Sequence, residues 1–131
     1  MAKAKPAPAF NPTTTYITID GNAATAIPVT ESFWPEVMAG TREIGGWLMT
    51  AFPQAEDWAT WERHPKGEEI LIMLRGAMTL ILDEGSTRRE VALNEGESTI
   101  VPRNTWHTGK VRTPGTLLAL TFGEGTDHRP L

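Results

Sequence analysis

Glu62, His64, a carboxylate at 68 or 69 and His107 are the residues of this chain whose types and spacing could do chemistry. The chain has three histidines, and two of them fall in two short segments. One runs Glu62-Arg63-His64-Pro65-Lys66-Gly67-Glu68-Glu69 and on to Gly76. The other runs from Gly96 through Pro102 and Asn104 to His107. A His, a nearby carboxylate and a distant second His are the usual makings of a divalent-metal centre on a β scaffold. Side chains at i and i+2 of a strand share a face, so Glu62 and His64 project together and Arg63 projects the other way. Pro65-Lys66-Gly67 is a turn that resets the phase, so either Glu68 or Glu69 can face inward. His107 belongs to a remote strand, as happens when several walls of a barrel supply one site.

The elements that must position these residues read as short strands punctuated by Gly and Pro. Tyr16 to Ile19 ends at Asp20-Gly21, and Thr30 to Met38 suits a short helical turn if Pro35 lies near its start. Strand-like runs then follow over Gly46–Phe52, closed by Pro53, and over Thr60–His64 and Glu68–Leu74, the last closed by Arg75-Gly76. Further runs cover Ala77–Leu82, Arg88–Leu93, Ser98–Val101, Trp106–Val111, closed by Thr113-Pro114-Gly115, and Thr116–Phe122. Many short strands at even spacing predict an all-β sandwich or barrel. Ile70-Leu71-Ile72-Met73-Leu74 and Leu117-Leu118-Ala119-Leu120 are apolar on both parities, which predicts that both faces of those strands are covered, one by the barrel and one by an outer layer or a partner chain.

Composition removes several classes of function. The 131 residues suit one domain, and 40% hydrophobic residues suffice for its core. With no cysteine, disulfides and thiolate ligands are excluded, and any metal must sit on nitrogen and oxygen. A net charge of -4 with no basic run gives no footprint for nucleic acid. No apolar run approaches the length of a membrane span. Met1 to Pro8 alternates Ala, Lys and Pro with no apolar stretch behind it, so residues 1–10 read as a disordered tail rather than a secretory signal. The missing signal and missing cysteine together point to the cytoplasm.

The two segments resemble the two motifs of the cupin superfamily, small double-stranded β-helix (jelly-roll) proteins. The first motif reads His, any residue, His, three or four residues, Glu, six residues, Gly. Here Glu62-Arg63-His64 takes the opening place, and Glu69 with Gly76 gives the six-residue spacing, so the resemblance selects Glu69 over Glu68. The second reads Gly, five residues, Pro, any residue, Gly, two residues, His, three residues, Asn. Gly96, Pro102 and His107 match; Asn104 replaces the Gly and also tolerates positive φ; Val111 stands where the pattern has Asn. The resemblance covers about residues 45 to 123 and implies a single cupin domain over residues 11–131. It also implies a small-molecule ligand and a homodimer, since cupins are commonly dimeric.

The departure is Glu62 in place of the first His. His64, Glu69 and His107 still make a set of two His and one carboxylate, as is associated with Fe(II) and related ions, and Fe, Mn, Ni or Zn are all compatible with it. Glu62 has three readings: a fourth, oxygen ligand; a catalytic general base or acid beside the metal; or the mark of a cupin that has lost its metal. Trp58 precedes the metal-bearing strand and is expected to reach the barrel mouth as a substrate contact. Met73 shares parity with Glu69 and is expected to line the pocket. The other tryptophans read as core or interface anchors. Arg63 is expected to face out into an ion pair, and His128 to be an exposed tail residue. The resulting expectation is a metal-dependent enzyme on a small organic molecule, its type open among dioxygenase, isomerase, epimerase and decarboxylase. The alternatives are a non-catalytic small-molecule or sugar-binding module and a purely structural dimer with a plugged barrel.

Overall fold

The computed structural model describes residues 8–131, so the tail expected over residues 1–10 lies mostly outside the described residues. The described residues open with a hairpin, β1 (Thr15–Asp20) and β2 (Ala23–Pro28), turned at Gly21-Asn22. A short helix, α1 (Phe33–Ala39), follows. Pro35 sits in its first turn, where a missing N–H breaks no helical bond, and Gly40 ends it at φ 76°. The remaining strands are β3 (Trp47–Gln54), β4 (Thr60–Arg63), β5 (Glu69–Asp83), β6 (Arg88–Leu93), β7 (Ser98–Val101), β8 (Trp106–Thr121) and β9 (Asp127–Pro130). All pairings among them are antiparallel.

β5 and β8 carry the architecture. Each was expected as two strands parted by a turn, at Arg75-Gly76 and at Thr113-Pro114-Gly115. Each is instead one long strand that serves both faces of the jelly roll. The first half of β5 pairs with the second half of β8, and their other edges take β7 on one side and β3, β1 and β2 on the other. The second half of β5 pairs with the first half of β8, flanked by β6 and by β4 and β9. Register shifts between Met73 and Met78 mark the crossing. Gly76 is at φ 82° there, and a Cβ on it would collide with the Thr113 and Pro114 carbonyls. The Gly/Pro signals that read as turns are thus bulges that bend a strand from one face to the other. Pro114 falls where the ladder to β5 is interrupted, so its missing N–H costs no bond.

Two strands had no strand-like signal. β2 reads Ala-Ala-Thr-Ala-Ile-Pro, poor in β-branched residues, and forms because the hairpin supplies its partner. β9 lies in what read as a tail. β3 also runs one residue past Pro53, to Gln54. At that point β1 no longer pairs with β3, so the proline lies at a free edge.

The core lies between the two faces, with Leu71, Met73, Met78, Leu80, Leu93 and Leu117 almost wholly buried. A second cluster joins α1 to β1 and β3 through Tyr16, Phe33 and Leu48, with Trp34 and Phe52 against it. The aromatic rings there meet at 5.1–5.9 Å, several edge to face. Burying Phe33 completely contributes about 2 kcal/mol to holding α1 on the barrel. Among the described residues no helix is long and apolar enough to cross a membrane.

Candidate metal centre

Register brings the four residues together. Glu62 on β4 is the cross-strand partner of His107 on β8 and, on its other side, of His128 on β9. Opposite partners on one face of a sheet stand about 5 Å apart, so this row forms without any special loop. On the facing wall Glu69 is the partner of Thr121. His64 leaves the end of β4, and its carbonyl accepts a bond from the Asn104 N–H at 2.8 Å. Asn104 stands at φ 59°, the left-handed conformation expected of it where the motif has Gly.

The polar atoms converge. Glu62 Oε1 lies 3.4 Å from His64 Nε2 and 3.3 Å from His107 Nε2. Glu69 Oε1 lies 3.1 Å from His107 Nε2, and Glu69 Oε2 lies 3.2 Å from His64 Nε2. One donor atom from each of the four residues falls within 4.8 Å of all the others. His64, Glu69 and His107 are buried, and the Glu62 side chain remains 24% exposed toward the cavity.

Outer contacts orient both imidazoles. The Thr105 carbonyl can only accept, so His107 Nδ1 donates to it at 2.9 Å. The Thr126 hydroxyl donates to the Gly123 carbonyl at 2.7 Å and so accepts from His64 Nδ1 at 2.8 Å. Both rings therefore carry their proton on Nδ1 and present Nε2 to the cluster, the arrangement in which histidine ligates a metal. The Thr121 hydroxyl donates to Glu69 Oε2. His64 Nε2 is buried without a hydrogen-bond partner, since Glu69 and Glu62 lie near it but out of alignment. A buried ring nitrogen unpaired between two carboxylates is a place for a positive charge, carried by a proton or by a cation, so the residues fit a divalent ion.

Charge in the cluster is mutual. Burial works against a charge on either ring, yet the Glu62 and Glu69 carboxylates outweigh it and raise His64 to about 9 and His107 to about 10. Burial likewise pushes Glu62 up, but His107, His128 and His64 hold it well below the usual carboxylate range. Glu69 is lowered too, by His107 and His64 against its own burial. At neutral pH the rings hold protons until a cation takes their place.

His128, expected to be an exposed tail residue, is exposed and lies outside the four-residue cluster, but it belongs to β9 rather than to a tail, with Nε2 3.5 Å from Glu62 Oε2. β9 is fixed by Arg63 and Arg129, which bind Asp127 at 2.6 Å and Asp83 at 2.7 Å and both stack on Trp106 at 4.5 Å. Arg63 thus faces away from the cluster, in an ion pair.

A cavity of about 1050 Å³ opens from the cluster, runs over the inner face shared by β3, the second half of β8 and the start of β5, and ends under α1 and residues 40–46. Trp58 lines it, lying edge to face with the His107 ring at 6.1 Å. Gly109 makes room for it, since a Cβ there would press on the indole ring. Met73, expected at the pocket, is instead fully buried in the core and does not line the cavity. Parity placed it correctly on the inner face, but two residues beyond Leu71 and four beyond Glu69 the inner face is already packed shut. The residues missed by sequence reasoning are Gln54, Thr121, Thr126 and His128. None of them carries a signal in the sequence: Asp127-His128-Arg129-Pro130 has no apolar alternation, and the other three sit among ordinary strand and turn residues.

Residues 48–123 match the family model described as Cupin domain. No curated protein matches the chain in sequence. Solved structures with a similar fold include hydroxypropylphosphonic acid epoxidase from S. wedmorenis in complex with fosfomycin, 20% identical over 58% of this chain and 43% of that one, with a TM-score of 0.51. Another is recombinant oxalate oxidase in complex with glycolate, 19% identical over 63% of this chain and 45% of that one, at 0.53. A third is a cupin-2 domain containing protein from Shewanella frigidimarina, 14% identical over 61% of this chain and 74% of that one, at 0.51. The chain spans less than half the length of the epoxidase and of the oxidase. At these identities the likeness is one of fold.

Proposed function

The chain belongs to the cupin family, and on that footing we propose that it is a divalent-metal enzyme acting on a small organic molecule held in the barrel. The observation that carries the reading is the buried His64 Nε2, left without a partner among donors from Glu62, Glu69 and His107. His64, Glu69 and His107 would hold the ion, with Glu62 as a fourth ligand. A bound divalent ion supplies Lewis-acid polarisation of a substrate oxygen or activation of O2. The chain supplies the rest. Thr105 and Thr126 keep the Nδ1 protons turned outward. Leu48, Phe52, Leu71 and Leu117 give the reacting end an apolar wall that excludes water. Glu62, the most open of the four and in contact with His128, is the group placed to hold or pass a proton at Oε2. A non-catalytic binding barrel would use the same walls without turnover.

Calorimetric titration of metal-stripped protein tests this. The expected result is one Mn2+ or Zn2+ ion or less per chain. Because His64 and His107 are raised to about 9 and 10, both hold a proton on Nε2 at pH 7 that the ion must displace. Up to two protons are therefore released per ion, read from the dependence of the heat on buffer ionisation, and affinity climbs steadily from pH 6 to pH 9. Absence of uptake overturns the site; uptake without proton release overturns the protonated state of the two imidazoles and leaves the ligands in place.

We further propose a homodimer. Outward-facing Ile17, Met49, Leu120, Ile70 and Ile100 are successive cross-strand partners, forming one apolar row across β1, β3, β8, β5 and β7. Ile100 is 59% exposed, and Leu74 beside the row is 44% exposed. An apolar sheet face of this length marks an interaction surface. Light scattering should give twice the chain mass, and Ile100→Lys with Ile70→Lys should halve it; a monomer mass for the unmutated chain across a broad concentration range rejects the dimer.

A further inference from the structure

The cavity's chemistry is uneven in a way that selects a ligand. Its middle is apolar, walled by Leu48, Phe52, Leu71, Leu117 and Ala119. Arg42 is the one Lys or Arg among the residues that line it, and its Nε is already bound to Glu36 at 3.0 Å, with the guanidinium over the Phe33 ring. Glu43, Glu62, Glu69 and Glu124 line it as well. Away from the cluster, a second anionic group on a ligand would meet Glu43 and Glu124 with no unpaired Lys or Arg in the lining to offset them.

One inner polar group remains available. Gln54 is the only glutamine in the chain and is 9% exposed. Its Oε1 accepts from Trp58 Nε1 at 2.7 Å. An indole N–H only donates, so this bond fixes the amide orientation and leaves Nε2 pointing away from Trp58. That Nε2 makes no hydrogen bond to the described residues, and Gln54 lines the cavity. Trp58 also lies against the His107 ring, so the Gln54 donors sit one aromatic side chain from the metal cluster. Thr50, four residues earlier on the same face of β3 and 3% exposed, places a hydroxyl further along the same wall, beyond Phe52.

We propose that the cavity takes a small monocarboxylic acid with an apolar body, whose carbonyl or hydroxyl oxygen accepts a hydrogen bond from Gln54 Nε2. The inference rests on the reading of this barrel as a small-molecule site: the acid end meets the cluster and the body fills the apolar middle. Dianionic acids are excluded by the carboxylates, and acids without a body leave the apolar walls uncovered.

Phenylpyruvate is a suitable probe, with oxalate and glycolate as comparators. Binding is measured by calorimetry on metal-loaded protein and by 15N–1H spectra, in which the side-chain amide of the single glutamine is readily assigned. The expected result is a shift of the Gln54 amide with phenylpyruvate and tighter binding of it than of either comparator by about tenfold or more, the worth of about 1.4 kcal/mol. Gln54→Glu retains an acceptor for Trp58 but loses both donors, and Gln54→Leu loses all of them. Each should weaken phenylpyruvate by about tenfold, as for one hydrogen bond lost next to a charged group. No phenylpyruvate binding, an unmoved Gln54 amide, oxalate binding as tightly, or unchanged affinity in both variants overturns the proposal. The Gln54 contact does not require the ion, so a shifted amide in metal-stripped protein upholds it even where the titration above finds no metal.

Discussion

His107→Ala should abolish metal binding: elemental analysis of the purified variant should find no stoichiometric ion, where the unmutated chain carries up to one equivalent. His107 has no exposed surface, and its Nε2 lies 3.3 Å from Glu62 and 3.1 Å from Glu69. Removing it takes away one of the two imidazoles proposed as ligands, and His64, Glu69 and Glu62 alone would leave a carboxylate-rich site that binds late first-row ions poorly. Changes to groups that merely orient ligands cost 10–100-fold in affinity, so the loss of a ligand should exceed about a hundredfold. Stability should fall as well. In the metal-free protein His107 is a partner of the buried Glu69, and breaking a buried pair costs about 3–5 kcal/mol. His107→Gln keeps much of the volume and a polar end, and it serves where the alanine variant fails to fold. Full metal content in a folded His107 variant would mean that the site is wrongly assigned.

Glu62 decides what kind of centre this is. Its Oε1 is nearly equidistant from the two Nε2 atoms, at 3.4 Å and 3.3 Å, and Oε2 turns to His128 at 3.5 Å. A carboxylate in that place is expected to be a ligand, since a cation relieves the cost of burying it beside Glu69. Glu62→Gln should then weaken metal affinity on the order of tenfold or more. If Glu62 acts instead as a base, affinity holds in the same variant and turnover falls. Glu62→His restores the commoner donor set and should keep or tighten binding of softer ions such as Zn2+ or Ni2+. Metal titrations of the three proteins side by side separate these outcomes. A Glu62 whose replacement changes neither affinity nor any activity is a structural residue, and the four-ligand site is then wrong.

Much of the candidate site was legible because its rules are local. Glu62 and His64 share a face by strand alternation alone, and Asn104 takes the positive φ that its place in the turn demands. The spacing from Glu69 to Gly76 measures from a wall residue to the bend of β5. Three of the fold's features were hidden for the opposite reason. A Gly or Pro between two apolar runs looks the same whether the chain turns back or bends onward, so β5 and β8 were each read as two strands. β2 and β9 have too little β-propensity to be seen and exist because a neighbouring edge pairs with them. Met73 has the right parity, but packing density rather than parity sets where a cavity ends.

The sequence by itself determined the all-β class, the jelly-roll family and the four residues whose chemistry suits a metal. Those follow from residue type, alternation and turn spacing, which act over a few residues. Only the tertiary structure decided what those residues meet. The register of β9 against β4 set His128 beside Glu62, and the Thr126 hydroxyl fixed the proton of His64. The run of β3 past Pro53 set Gln54 against Trp58, and the gap under α1 made the cavity they share. Pairing register and the filling of space depend on segments distant in the chain, and no single stretch of the sequence encodes them.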